Sequence, residues 1–140
     1  MSDWNIESAR KTYAMSRWAE GYFDVDDAGR LCVRPRASDG ASVPLQSVVE
    51  QARSAGLRQP LLLRFPHILA HRVQALRSAF EGALEHRGLA PDYTPVYPVK
   101  VNQQRSVVTS LMEDAGCGLE VGSKPELLAA LAISRPGGLV

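Results

Sequence analysis

The chain has 140 residues, 45% of them hydrophobic, and sets 16 Lys and Arg against 15 Asp and Glu for a formal charge of +1. Such a composition supports one globular core, and its scattered basic residues speak against a nucleic-acid groove or a polybasic membrane patch. The longest aliphatic run, Leu61 to Leu63, is too short to cross a bilayer, and MSDWNIESARK lacks an apolar secretory segment; a soluble, cytoplasmic protein with no membrane or nucleic-acid partner is expected.

Taken in order, residues 5–20 predict a short helix, with Ile6, Ala9 and Tyr13 at helical spacing and Gly21 as its stop. YFDVDDAGRLCVRP predicts a β-hairpin: Tyr22 to Val25, a turn on Asp26 to Gly29, then Leu31 to Arg34, ended by Pro35. The polar loop RASDGASVP that follows is the best internal boundary. Beyond it Leu45, Val48, Val49 and Ala52 share one helical face, closed by Gly56. LLLRF, bracketed by Pro60 and Pro66, predicts a strand. Leu69, Val73, Leu76, Phe80 and Ala83 then mark one face of a long helix that ends before Gly88.

Residues 93–101 predict a second strand in spite of Pro95 and Pro98, each of which removes a ladder donor. Gln103 to Ala115 predicts a helix with Val107, Val108, Leu111 and Met112 inward, and Gly118 to Gly122 a third strand. Ser123 and Glu126 form an S-x-x-E capping box with Pro125 in the first turn, and Leu127, Leu128 and Leu131 are expected to be that helix's buried face. Gly138, Leu139 and Val140 have the look of a fourth strand's start. Strands alternating with helices imply parallel pairing. The pattern suits half of a doubly wound sheet or the first part of a (β/α)8 barrel, which usually takes about 250 residues. It therefore reads as the N-terminal portion of a longer chain, whose open edge and exposed apolar faces would make a barrel portion alone poorly soluble unless copies associate.

Few residues invite chemistry. His67 and His71 are four apart on a helix, but no H-E-x-x-H glutamate or third ligand accompanies them, so they read as surface histidines and no metal site is expected of them. Gly116, Gly118 and Gly122 are spaced G-x-G-x-x-x-G, and the first two precede a strand where a dinucleotide fingerprint follows one and opens a helix, so they are not read as one. Cys32 and Cys117, without a C-x-x-C, read as two reduced thiols. Lys100 remains. A lysine is rarely buried unless paired or neutralised, and this one follows Val96, Tyr97 and Val99 at the C-terminal end of a strand, where barrels put catalytic groups. Partial desolvation there favours an amine nucleophile of the kind that Schiff-base chemistry requires; a lysine snorkelling from a strand end is the equal alternative.

YPVKVNQQR, followed by GLEVGSKPELLAALA, resembles the biosynthetic arginine decarboxylases. The likeness takes in the hairpin and LLLRFPHILAHRVQALRSAF as well, running from Tyr13 to Val140 and weakest in residues 36–43. The resemblance implies the alanine-racemase-like group of pyridoxal-phosphate enzymes, with a β-domain and a (β/α)8 barrel. Residues 1–43, helix and hairpin, would belong to the β-domain, and residues 44–140 would be the barrel's first three to four β-α units. It implies that Lys100 is catalytic and holds pyridoxal 5'-phosphate as a Schiff base from the barrel's second strand. Glu120, on the third strand, would lie near it as a cofactor-binding residue that orients or tunes the amine, with a purely structural acid as the open alternative. For Ser123 and Glu126 the capping geometry is sufficient explanation.

The activity so implied is decarboxylation of L-arginine to agmatine and carbon dioxide in polyamine and spermidine biosynthesis, with Mg2+ as a further cofactor of the family and a homo-oligomer at full length. Alternatives are a related decarboxylase of ornithine or diaminopimelate, or a non-catalytic module that binds no cofactor. Groups for the cofactor's phosphate and ring nitrogen and for the substrate guanidinium are expected beyond Val140, so the segment alone is expected to be inactive.

Overall fold

The computed structural model describes residues 4–37 and 40–140. They form two compact units, Met1–Ile68 and Leu69–Val140. Among the described residues no helix is long and apolar enough to cross a membrane.

In the first unit, Asn5 caps helix α1 (Ile6–Thr12) by accepting the Ser8 N–H at 2.8 Å, and Arg10 and Lys11 sit in its last turn, where cations complement the helix dipole. The single helix expected over residues 5–20 is broken. Ala14 adopts a left-handed φ of 49°, and a short α2 (Met15–Trp18) starts afresh. The Trp18 indole N–H donates to the Tyr13 carbonyl at 3.0 Å, satisfying an acceptor that the break leaves without a helical donor. The apolar spacing alone does not foretell this kink.

The hairpin forms as expected. β1 (Phe23–Val25) pairs antiparallel with β2 (Leu31–Val33), in the register Phe23 to Val33 and Val25 to Leu31. Asp26 organises the turn, its Oδ1 accepting from Ala28 N at 3.0 Å and Arg30 N at 2.8 Å, while Gly29 takes φ 77°. A two-residue strand absent from the sequence reading, β3 (Val43–Pro44), adds to β2; its proline is tolerated on an edge. Helix α3 (Leu45–Ser54) follows, with its apolar face half-buried and Gly56 at φ 83° beyond its end. Ala9, Met15, Ala19, Tyr22, Val25, Cys32 and Val33 are this unit's buried residues.

LLLRF is not a strand in this structure: residues 61–65 have no ladder partner among the described residues. Aliphatic residues make a parallel strand only where neighbours accept and donate its backbone hydrogen bonds. Pro66, read from sequence as the strand's end, instead opens helix α4 (Pro66–His86), where its missing N–H costs nothing.

In the second unit, β4 (Val96–Pro98) pairs parallel with β5 (Gly118–Glu120), Val96 opposite Gly118, Tyr97 opposite Leu119 and Pro98 opposite Glu120. Helix α5 (Arg105–Glu113) makes the crossover and α6 (Lys124–Ile133) follows β5. Strand β4 is shorter than residues 93–101, because after Pro98 the chain tightens into one 3₁₀ turn, Val99–Val101. Val99, Val108, Leu119 and Ala130 form the core, with Tyr97, Met112, Val121 and Ile133 packed against it.

The inward face expected of α5 is found, since Val107, Val108 and Leu111 are buried and Met112 half-buried. The face expected of α6 is not. Leu127, Leu128 and Leu131 are exposed, and Ala130, at 1% exposure, packs inward, with half-buried Ile133 against the same core. This helix is apolar almost all round, so composition gave no direction. Leu69, Leu76 and Phe80 of α4 are exposed too, with Phe80 stacked on Tyr93 at 4.3 Å between ring centroids. No fourth strand is formed at residues 138–140, yet the Leu139 carbonyl accepts from Leu119 N at 3.0 Å, a single bond of the ladder that would extend the sheet.

Candidate active site

Parallel strands place their C-terminal ends on one side, and here that side carries Lys100 and Glu120. Lys100 stands in the 3₁₀ turn directly after β4, between buried Val99 and exposed Val101. Glu120 is the last residue of β5, in register with Pro98. Their charged ends meet, with Lys100 Nζ 3.8 Å from Glu120 Oε2.

The sequence reading expected a partly desolvated lysine at the end of a buried strand. Among the described residues its side chain is instead 66% exposed, and that of Glu120 is 46% exposed. The turn explains the difference: it carries Val99 into the core and swings the next side chain outward. The pair is therefore a solvated one, worth at most about 1 kcal/mol to stability. Its significance lies in placement. A primary amine and a carboxylate stand side by side where two adjacent loops leave the sheet.

Asn102, Gln103 and Glu126 share this end of the sheet and had no functional role in the sequence reading. The Tyr97 hydroxyl donates to the Asn102 carbonyl at 3.4 Å, and Asn102 Oδ1 accepts from Gln104 N at 2.9 Å. Gln103 Nε2 donates to Glu126 Oε1 at 3.2 Å. Glu126 Oε2 accepts from Gly122 N at 2.8 Å, while Ser123 Oγ accepts from Glu126 N at 3.4 Å. This is the expected capping box with the carboxylate shifted one residue upstream, from the Ser123 N–H to that of Gly122. Only the periodicity of two successive β-α units could have hinted that Gln103 and Glu126 share one face.

Other expected features stay apart from this end. His67 and His71 lie on α4, and among the described residues no group of three or more His, Cys, Asp or Glu could hold a metal ion. Cys32 and Cys117 are both free thiols, and burial pushes the Cys117 thiol up against a smaller opposing pull from Arg77. A cavity of about 260 Å³ lined by Thr94, Met112, Cys117, Gly118, Ile133 and Leu139 opens at the strands' N-terminal ends, away from Lys100.

Residues 71–138 match the family model described as "Pyridoxal-dependent decarboxylase, pyridoxal binding domain". The whole chain aligns with the biosynthetic arginine decarboxylase of Xanthomonas campestris at 55% identity, covering 22% of that protein. The enzyme of the same name from Pseudomonas aeruginosa is 43% identical over 99% of this chain, again across 22% of its own length. Among solved structures, the biosynthetic arginine decarboxylase of Campylobacter jejuni superposes with a TM-score of 0.77 at 32% identity, over 90% of this chain and 21% of that one. The chain thus spans about a fifth of the length of the curated relatives it matches.

Proposed function

We propose, on the premise that this chain belongs to the biosynthetic arginine decarboxylase family, that it is part of an enzyme that converts L-arginine to agmatine and carbon dioxide. Within that enzyme it supplies the amine that anchors pyridoxal phosphate. The observation that carries the proposal is the pairing of Lys100 with Glu120 at the C-terminal ends of adjacent parallel strands.

The residues present fit such a cofactor. Lys100 offers a primary amine that reaches solvent at the end of the sheet where α/β folds collect their ligands. It would hold the cofactor through Nζ. When bound, pyridoxal phosphate supplies an electron sink for the pair left behind as the carboxylate departs. Glu120 keeps an anionic oxygen near Nζ, which directs the amine and offers a resting place for a proton that leaves it. Mg2+ is a different matter. Among the described residues no group of three or more His, Cys, Asp or Glu could hold it.

The proposal extends to architecture. Residues 1–43 are assigned to a β-domain, supported by the antiparallel β1-β2-β3 sheet, whose last strand crosses that border at Val43–Pro44. Residues 44–140 are assigned to the opening β-α units of a (β/α)8 barrel, supported by the parallel β4-α5-β5 crossover and by Leu139 bonding beside β5. Association of full-length copies belongs to the same reading, supported by the exposed Leu69, Leu76 and Leu128.

The test uses the complete polypeptide that carries this segment. Incubation with pyridoxal phosphate, borohydride reduction and peptide mapping is expected to find the label on Lys100, and carboxyl-labelled arginine is expected to release carbon dioxide. An adduct on another lysine sinks the site assignment. Faster release from ornithine or diaminopimelate than from arginine sinks the substrate assignment.

A further inference from the structure

We propose that Glu126 and Gln103 form a clamp that sets the spacing of Lys100 and Glu120, so that Glu126 is a positioning residue of the site as well as a helix cap. The inference rests on the functional reading above and deepens it.

Lys100 stands in the turn after β4 and Glu120 closes β5, and the two segments that leave the sheet beside them must be held at a fixed separation. The β4-β5 ladder ends at the Pro98 to Glu120 pair. Beyond it the amine and carboxylate are solvated and 3.8 Å apart, too weak a bond to hold two loops by itself. One carboxylate does span the gap. Glu126 Oε2 takes the Gly122 N–H of the loop after β5, and Oε1 takes the Gln103 amide of the loop after β4. Val99 packs in one cluster with Leu119 and Ala130, so the Lys100 turn is fixed at its first residue by burial and, two residues past its end, by the bond of Gln103.

A cap needs only part of this arrangement. Ser123 Oγ and one oxygen of Glu126 suffice for the start of α6. The bond from Gln103, 23 residues earlier, adds nothing to that helix end and joins the two loops that carry the site. Capping and clamping can therefore be separated by substitution.

In the complete polypeptide, the readout is the pyridoxal phosphate concentration that gives half-maximal borohydride-fixed labelling of Lys100. Gln103→Ala, with unchanged helical circular dichroism, is expected to raise it about fivefold, the loss of one exposed charge-assisted hydrogen bond, and Glu126→Ala, which loses that bond and the one from Gly122, at least as much. Glu126→Gln keeps an oxygen for Gly122 and an amide that a rotated Gln103 can meet, so it is expected to stay within about twofold of the parent. Labelling of Gln103→Ala at the parental concentration overturns the clamp, as does a Glu126→Gln defect equal to that of Glu126→Ala. A parent that never labels at Lys100 counts against the functional reading instead, which keeps the two failures distinct.

Discussion

Asp24 and Glu120 are both carboxylates beside a cation, and they are held in opposite ways. Asp24 is locked: Arg10 grips both its oxygens, at 2.7 and 2.9 Å, and Arg34 adds a third contact at 3.2 Å. Arg10, first as hydrogen-bond donor and then as charge, holds the Asp24 carboxyl below its ordinary value of 3.8. Glu120 faces Lys100 across 3.8 Å, and both side chains are exposed. The planar guanidinium with fixed forked donors serves where charges fasten a hairpin to a helix, and the flexible ammonium suits the function proposed for Lys100, in which an amine must be free to react.

The severest way to break this comparison is Lys100→Arg. It keeps the positive charge beside Glu120 but removes the nucleophilic amine, so labelling by pyridoxal phosphate is expected to fall to background while thermal stability holds. A second substitution probes the locked side. Asp24→Asn is expected to cost about 1–2 kcal/mol in urea denaturation at neutral pH, with Lys100 labelling untouched.

The same residue fixes a pH dependence. Its folded value lies below its unfolded one, so the stabilisation is complete above the ordinary carboxylate value and is lost as pH falls through the lower folded value. The gap between parent and Asp24→Asn should therefore close in acid, as urea midpoints measured down the pH scale will show. Phe80→Ala removes the stack on Tyr93 and is expected to cost about 1 kcal/mol. Smallest is Ala14→Gly, which relieves the left-handed φ and should raise the melting midpoint by the equivalent of about 0.5 kcal/mol.

How much of this was legible depended on how local each cause is. The hairpin was readable because Asp26 and Gly29 fix its turn within a few residues, and α6 because Ser123, Pro125 and Glu126 announce its start. LLLRF was misread because a strand exists only with partners. The outward leucines of α6 were misread because an all-apolar helix carries no preferred face. At the site, the strand-end position of Lys100 could be read from the β-α rhythm, but its exposure could not, since that follows from one 3₁₀ turn. The contact with Glu120 needs the parallel register, and the Gln103 bond to Glu126 needs two crossovers to be in place at once.

Arg77 has one further consequence. Helix α5 ends without a basic residue in its last turn, and the Arg77 guanidinium of α4 donates instead to the Ala115 and Gly116 carbonyls, both at 3.1 Å. The positive end-group of one helix is thus lent by another, 38 residues upstream. A piece trimmed in the convenient loop ahead of β4 would lose that end-group, whereas one cut before α4 keeps it. The turn that bears Lys100 thus shares its unit with a helix that closes α5 and is not a partner of its amine.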